Sequence, residues 1–314
     1  GRASYDRVNA LLHIQPDIVN KADATTAIPS GNLVCRINSF TYPEKEAPAL
    51  QNISVSLLQG QTLGVVGKTG SGKTTYLRLL IRDFDLNDGD ITIGGSTIYN
   101  LELNALRSAI GYVPQDHFLF STTIAENISF GKPDAPMEEI KQAAKIANIH
   151  EDIMRFEDGY GTLVGERGVT LSGGQKQRIS IARALLLNPE VLLLDDSLSA
   201  VDAKTEKAIL DELQKNRFNK TTLISAHRLS AIEHADLIIV FGEGSIIERG
   251  THHQLLADNG WYASMYQRQQ LESLVEEGGV SHGHAKCKQL DSFDEKGGVS
   301  HGHAKTVQLS ETTS

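Results

Sequence analysis

Short continuous apolar runs alternate with helical periods through most of the chain. Leu63-Gly64-Val65-Val66, Val191-Leu192-Leu193-Leu194, Thr222-Leu223-Ile224-Ser225 and Leu237-Ile238-Ile239-Val240 lack the every-second-residue polarity of a half-exposed strand. Such runs fit strands covered on both faces, as in a parallel sheet under helices. Helical periodicity separates them over Gly72–Phe84, Gly173–Leu187 and Ala203–Arg217. Two earlier segments, Leu33–Phe40 and Ile53–Leu57, read as strands. The clean alternation of the second predicts an antiparallel layer with one wet face. Residues 122–160 are mostly helical, with Met137–Lys145 as their clearest period, and they interrupt the α/β order. They predict an inserted helical subdomain over about 118–180. A closing helical region over 252–275 carries Trp261, Tyr262 and Tyr266.

The ends read differently. Tyr5, Val8, Leu11 and Leu12 sit at helical spacing, so residues 3–13 read as the end of a longer helix. Residues 15–32 contain Pro16, Pro29 and Gly31 and read as a linker. The expected division is 1–32, 33–270 and 271–314. In the last segment Gly278–Lys286 recurs as Gly297–Lys305, each copy with a His-x-His pair, in a polar surround that predicts disorder. Duplication explains the repeat better than a metal site, because nothing in the sequence holds the ligands in place.

Composition narrows the class. The chain has 314 residues, 40% of them hydrophobic and 22% charged, enough for one large domain with appendages. A net charge of −9 argues against nucleic acid as a partner. The two cysteines, Cys35 and Cys287, fall in a strand-like run and a polar tail, so a reducing compartment is expected. No apolar run approaches membrane length and no signal peptide opens the chain. The start at Gly1 rather than methionine suggests a fragment, with membrane segments upstream left possible.

The chemistry begins at Gly67-Lys68-Thr69-Gly70-Ser71-Gly72-Lys73-Thr74, followed by Thr75. A strand precedes this glycine-rich loop and a helix follows it, the arrangement of a phosphate cradle. Backbone N–H groups of Gly67, Thr69, Gly70, Ser71 and Gly72 would turn toward phosphate oxygens. Lys73 would reach the β- and γ-phosphates, the Thr74 hydroxyl would ligate Mg²⁺, and Thr75 belongs to the same helix start. Asp195, at the end of the Val191–Leu194 run, suits Mg²⁺ held through its water shell. Ser172-Gly173-Gly174-Gln175 has the serine and glutamine of a capping box at a helix start. Its two glycines cost helix stability and allow close approach of an anion. Together these elements predict an α/β P-loop NTPase that binds ATP and Mg²⁺.

Leu171–Gln175 resembles the signature motif of ABC ATPases, and further motifs follow in that family's order over roughly 33–270. By this resemblance Tyr42 stacks on adenine, Gln115 is the glutamine that contacts Mg²⁺ and faces a transmembrane partner, and His227 contacts the γ-phosphate. Gly165-Glu166-Arg167-Gly168 is similar to the loop that precedes the signature in exporters, and Ser199-Ala200-Val201-Asp202 to the loop after the catalytic strand. The fold implied is the ABC ATPase domain: a parallel-sheet P-loop core, an antiparallel β layer and a helical subdomain. The resemblance further implies a paired machine. ATP would lie between the cradle of one domain and the signature helix of another, and closure would pull on a transmembrane domain. That places the domain at the cytoplasmic face of a membrane, powering efflux of drugs or lipids.

One position departs from the family pattern. The catalytic base is normally glutamate, and this chain has Asp196. The side chain is shorter by one carbon–carbon bond, about 1.5 Å, and general-base work depends on reach to the attacking water. Asp196 followed by Ser197–Asp202, with the closing Asn259-Gly260-Trp261-Tyr262, is similar to the aspartate-bearing A half of bacterial multidrug-resistance-like heterodimers. The expectation is an ATPase whose own site is hydrolytically weak, with a partner half that carries the glutamate. A stand-alone ABC ATPase, an import ATPase and a non-hydrolysing regulatory module remain as alternatives.

Overall fold

The computed structural model describes residues 5, 7–9, 12–13, 16–165 and 168–278. The chain divides into two compact units, Gly1–Tyr266 and Gln267–Ser314. The second is described only over 267–278, where the last helix continues. The predicted helix over 3–13 lies partly outside the described residues, and the His-containing repeat and Cys287 lie wholly outside them.

The first unit is built on two sheets. The smaller has the order β2-β1-β4-β5: β1 (Leu33–Phe40), β2 (Leu50–Leu57), β4 (Asp88–Ile93) and β5 (Ser96–Thr97), all antiparallel. The larger has the order β10-β9-β3-β8-β7-β6, from β3 (Thr62–Gly67), β6 (Ile110–Val113), β7 (Val191–Asp195), β8 (Thr221–Ser225), β9 (Leu237–Gly242) and β10 (Ser245–Gly250). All its pairings are parallel except the edge strand β10 on β9. The architecture is the expected α/β one, a mostly parallel sheet beside an antiparallel layer.

The unbroken apolar runs have a physical reason here. Successive side chains of a strand point to opposite faces, and both faces of this sheet are covered. Leu192, Leu194, Ile224, Ile238 and Val240 feed one core. Val191, Leu193, Leu223, Ile239 and Phe241 feed the other. The first core takes up the helices of the 122–160 region, α3 (Ile124–Ile128), α4 (Met137–Ile146) and α5 (His150–Met154). The second takes up β1, β2 and the helix α1 (Lys73–Leu80). Cys35 is fully buried there as a free thiol, and burial pushes its pKa up to about 12, so it is inert.

The helix boundaries follow from local chemistry. The helix predicted to reach Phe84 stops at Leu80, because Arg82 takes φ 54°. That turn sends the Arg82 guanidinium to the Asp85 carboxylate at 2.7 Å and to the Val19 carbonyl at 3.0 Å. The remaining helices are α2 (Leu103–Ala109), α6 (Gly173–Leu186), α7 (Ala203–Asn216), α8 (His252–Ala257) and α9 (Trp261–Gly278). The segment read as a linker is tied down over 19–25. Leu103 N–H donates to Asn20 Oδ1 at 2.8 Å, Lys21 Nζ to Asn100 Oδ1 at 2.7 Å, and Thr25 N–H to the Asn100 carbonyl at 2.9 Å.

Candidate functional site

Strand β3 enters a loop that delivers its chain straight into α1. Gly72 caps that helix at φ 110°, a conformation that L side chains rarely adopt. A Cβ there would also stand 2.6 Å from Leu50 Cδ2. Gly72→Ala is therefore expected to lower unfolding stability by about 1–3 kcal/mol, measured by urea denaturation, in addition to disturbing the loop.

No side chain caps the first turn of α1, so its N–H groups are offered to the loop in front of it. Lys73 is 7% exposed, and its ammonium donates to the carbonyls of Gly67 at 2.7 Å and Lys68 at 3.0 Å. Burial lowers its pKa, and the charges of Asp195 and Asp196 oppose that shift. Asp195 is 2% exposed at the end of β7. It accepts from Thr74 Oγ1 at 3.3 Å and from the Tyr112 hydroxyl at 3.2 Å. Burial and the Asp195 carboxylate together push the Tyr112 phenol well up, so it stays a donor.

Around this cluster lies a cavity of about 560 Å³. Tyr42, Thr69, Gly70, Gly72, Lys73, Thr74, Thr75, Gln115, Asp195, Asp196 and His227 all line it. Residues as far apart in sequence as Tyr42 and His227 thus converge on one surface. Tyr42 packs edge-on against Phe40 and Phe84, with centroids 5.0 Å away in each case, and its hydroxyl lies 2.8 Å from Thr75 Oγ1. Those contacts hold the ring at the rim. His227 Nε2 stands 3.9 Å from Asp196 Oδ2. Gly67 and Ser71 shape the loop from behind without lining the cavity.

The serine element is elsewhere. Ser172 and Gln175 form the predicted capping box, with Gln175 N–H donating to Ser172 Oγ at 3.2 Å and Ser172 N–H donating to Gln175 Oε1 at 3.0 Å. Gly174 has its own reason to be glycine: a Cβ would stand 2.9 Å from the Ala200 carbonyl oxygen. Ser172 and Gly173 are exposed, and none of Ser172, Gly173, Gly174 and Gln175 lines the cavity of this chain. Glu166 and Arg167 of the preceding loop lie outside the described residues.

The donor set fits a nucleoside triphosphate with a divalent cation. An uncapped helix start and a buried ammonium attract phosphate, and a hard oxygen pair, Thr74 with Asp195, suits Mg²⁺. Ser225 also lines the cavity, and its hydroxyl is buried without a hydrogen-bond partner. Sequence reading missed Tyr112, Ser225, Glu243 and Gly244. Tyr112 stands three residues before Gln115, but nothing in a single tyrosine signals that its hydroxyl reaches a carboxylate 83 residues away.

Comparison with known proteins agrees with this geometry. A family model described as ABC transporter matches residues 50–199. A probable multidrug resistance ABC transporter ATP-binding/permease protein of Bacillus subtilis is 53% identical over 280 residues, covering 89% of this chain and 48% of the relative. The multidrug resistance-like ATP-binding protein MdlA of Escherichia coli is 48% identical over 277 residues, covering 88% of this chain and 47% of its own. The solved structure of a bacterial Atm1-family ABC exporter with ATP bound superposes with a TM-score of 0.81 at 38% identity, covering 86% of this chain and 47% of that one. The chain thus spans about half the length of the curated relatives it matches. With cradle, strand-end aspartate and capped signature helix in the family's order and fold, this chain belongs to the ABC transporter family and forms its ATPase domain.

Proposed function

We propose that this chain binds and hydrolyses ATP as the motor domain of an exporter of drugs or lipids, and that its own site hydrolyses weakly. One observation carries the paired arrangement. The cradle, Tyr42, Gln115, Asp195, Asp196 and His227 line one cavity, whereas Ser172–Gln175 present an exposed, capped helix start outside it. A helix start of that kind suits phosphate, and a second nucleotide-binding domain facing this one would bring it into use. In this reading Lys73 and the N–H groups of residues 69–75 hold the phosphates, and Tyr42 takes the adenine. Thr74, Asp195 and Gln115 would hold Mg²⁺, which when bound supplies charge neutralisation of the phosphates. Asp196 orients the attacking water, with reach shorter than glutamate allows, and His227 contacts the γ-phosphate. The partner is a half transporter that carries glutamate at the matching position, and this chain's signature helix completes the partner's site.

A transmembrane domain would dock beside the Gln115 loop. A groove of about 480 Å³ beside the Gln115 loop is lined by Tyr112, Phe118, Phe130, Arg183 and Leu187 among others. Phe118 and Phe130 are 66% and 57% exposed. No helix among the described residues is long and apolar enough to cross a membrane.

The test is turnover of the purified chain alone and with its partner. A rate typical of a good ATPase from the chain alone sinks the weak-site reading. Light scattering with a slowly hydrolysed ATP analogue that detects no nucleotide-dependent pairing sinks the paired one. Tyr42→Ala is expected to weaken ATP roughly tenfold, since loss of base–aromatic stacking costs about 1–3 kcal/mol, with GTP and ATP becoming more alike in a fluorescent-analogue competition.

A further inference from the structure

Gln177 lies within α6, two residues after the signature's Gln175, and it is fully buried. Its carboxamide meets two loops at three points. The Ala200 N–H stands 3.0 Å from Gln177 Oε1. A backbone N–H can only donate, so this bond fixes the orientation of the amide. The NH₂ group then faces His117 Nε2 at 3.0 Å and the Asp196 carbonyl oxygen at 3.5 Å. His117 follows Gln115 with only Asp116 between them. Ala200 belongs to the loop after the catalytic strand, and Asp196 is the residue at the position of the base.

The Asp196 backbone needs holding. Its φ is 47°, which costs an L-residue roughly 1–2 kcal/mol. Its N–H donates to the Ser225 carbonyl at 2.9 Å, and its own carbonyl accepts from Ser199 Oγ at 2.8 Å and from Gln177. Arg228, beside His227, braces the same loop by donating to the carbonyls of Leu198 and Val201, each at 2.7 Å. Of these braces Gln177 alone reaches both the Asp196 turn and the Gln115 loop from the signature helix. An apolar side chain could fill the same volume, but it could not tie the two loops together.

We infer that Gln177 is a positioning residue, which holds the Asp196 turn and the Ala200 loop in register with the Gln115 loop. It touches no reacting atom. The inference rests on the ATPase reading above and deepens it: a shift of the signature helix would be passed to the Asp196 carboxylate through one amide.

Two variants separate the bonds. Gln177→Glu keeps an acceptor for Ala200 N–H and loses donation to Asp196 and His117. Gln177→Leu loses both. They are made in the Asp196→Glu form of the full chain with its partner, where turnover at this site is expected to be measurable. Both are expected to lower kcat at least tenfold with KM for ATP within twofold of the parent. Amide exchange at Ala200, measured without nucleotide, is expected to rise at least tenfold in Gln177→Leu and to stay unchanged in Gln177→Glu. A kcat within twofold of the parent in Gln177→Glu overturns the proposal, as does a KM that rises in step with the fall in kcat. Unchanged Ala200 exchange in Gln177→Leu overturns it too. If the parent neither binds nor hydrolyses ATP, the ATPase reading fails by itself, and the exchange pattern still decides whether the junction holds the loops.

Discussion

Replacing Asp196 by glutamate is expected to raise ATP turnover at this site on the order of 100-fold, the factor that a misplacement of about 1 Å can cost a catalytic group. The added methylene advances the carboxylate by about 1.5 Å, into a cavity already lined by Lys73, Gln115 and His227. His227 Nε2, 3.9 Å from Asp196 Oδ2, is in place to act beside it. The gain has a small structural cost. Aspartate tolerates the left-handed region better than glutamate does, and position 196 sits at φ 47°. The variant should therefore turn over faster and melt slightly lower. Phosphate release from the complex with its partner measures the first effect, with a Lys73→Ala form of the same chain as background. Turnover unchanged by the substitution means that something other than reach limits this site.

Lys73→Ala is expected to weaken ATP at least 100-fold and to abolish the thermal shift that ATP produces. Hydrogen bonds to charged groups are worth about 1.5–3 kcal/mol each, and the ammonium would lose those to two phosphates. It also loses its hold on the loop, because its contacts with the Gly67 and Lys68 carbonyls set the loop's curvature before any ligand arrives. Lys73→Arg should rescue little. A planar guanidinium is a poor substitute for a compact ammonium at a site 7% exposed. Retention of the thermal shift in Lys73→Ala would count against the cradle as the nucleotide site.

Much of the core sheet was legible from composition of the runs. Val191–Leu194, Leu237–Val240 and Leu63–Val66 have apolar residues at both parities, which only a two-faced strand tolerates, and each falls within a strand of the larger sheet. Strands β4, β5, β6 and β10 escaped notice. β4 opens on the exposed Asp88-Gly89-Asp90, β6 has only four residues, and β10 is an edge strand with mixed polarity. Their pairing partners make them strands. The end of α1 was misjudged for a similar reason: nothing local in Leu80-Ile81-Arg82 stops a helix, and the bonds that do lie at Val19 and Asp85.

By itself, the sequence determined which chemical groups are present and how they are locally preorganised: the glycine loop running into a helix, the Ser172–Gln175 capping box, and an aspartate where reach favours glutamate. These depend on neighbours within a turn or two, so spacing reveals them. The tertiary structure alone decided that Tyr42, Gln115, Asp195 and His227 share one cavity, that Ser172 does not, that Tyr112 bonds Asp195, and that Gln177 joins two loops. Those relations are set by the order of strands in a parallel sheet, where residues far apart in the chain end on the same edge. A buried glutamine or tyrosine carries no sign of its partner until the strands are in place.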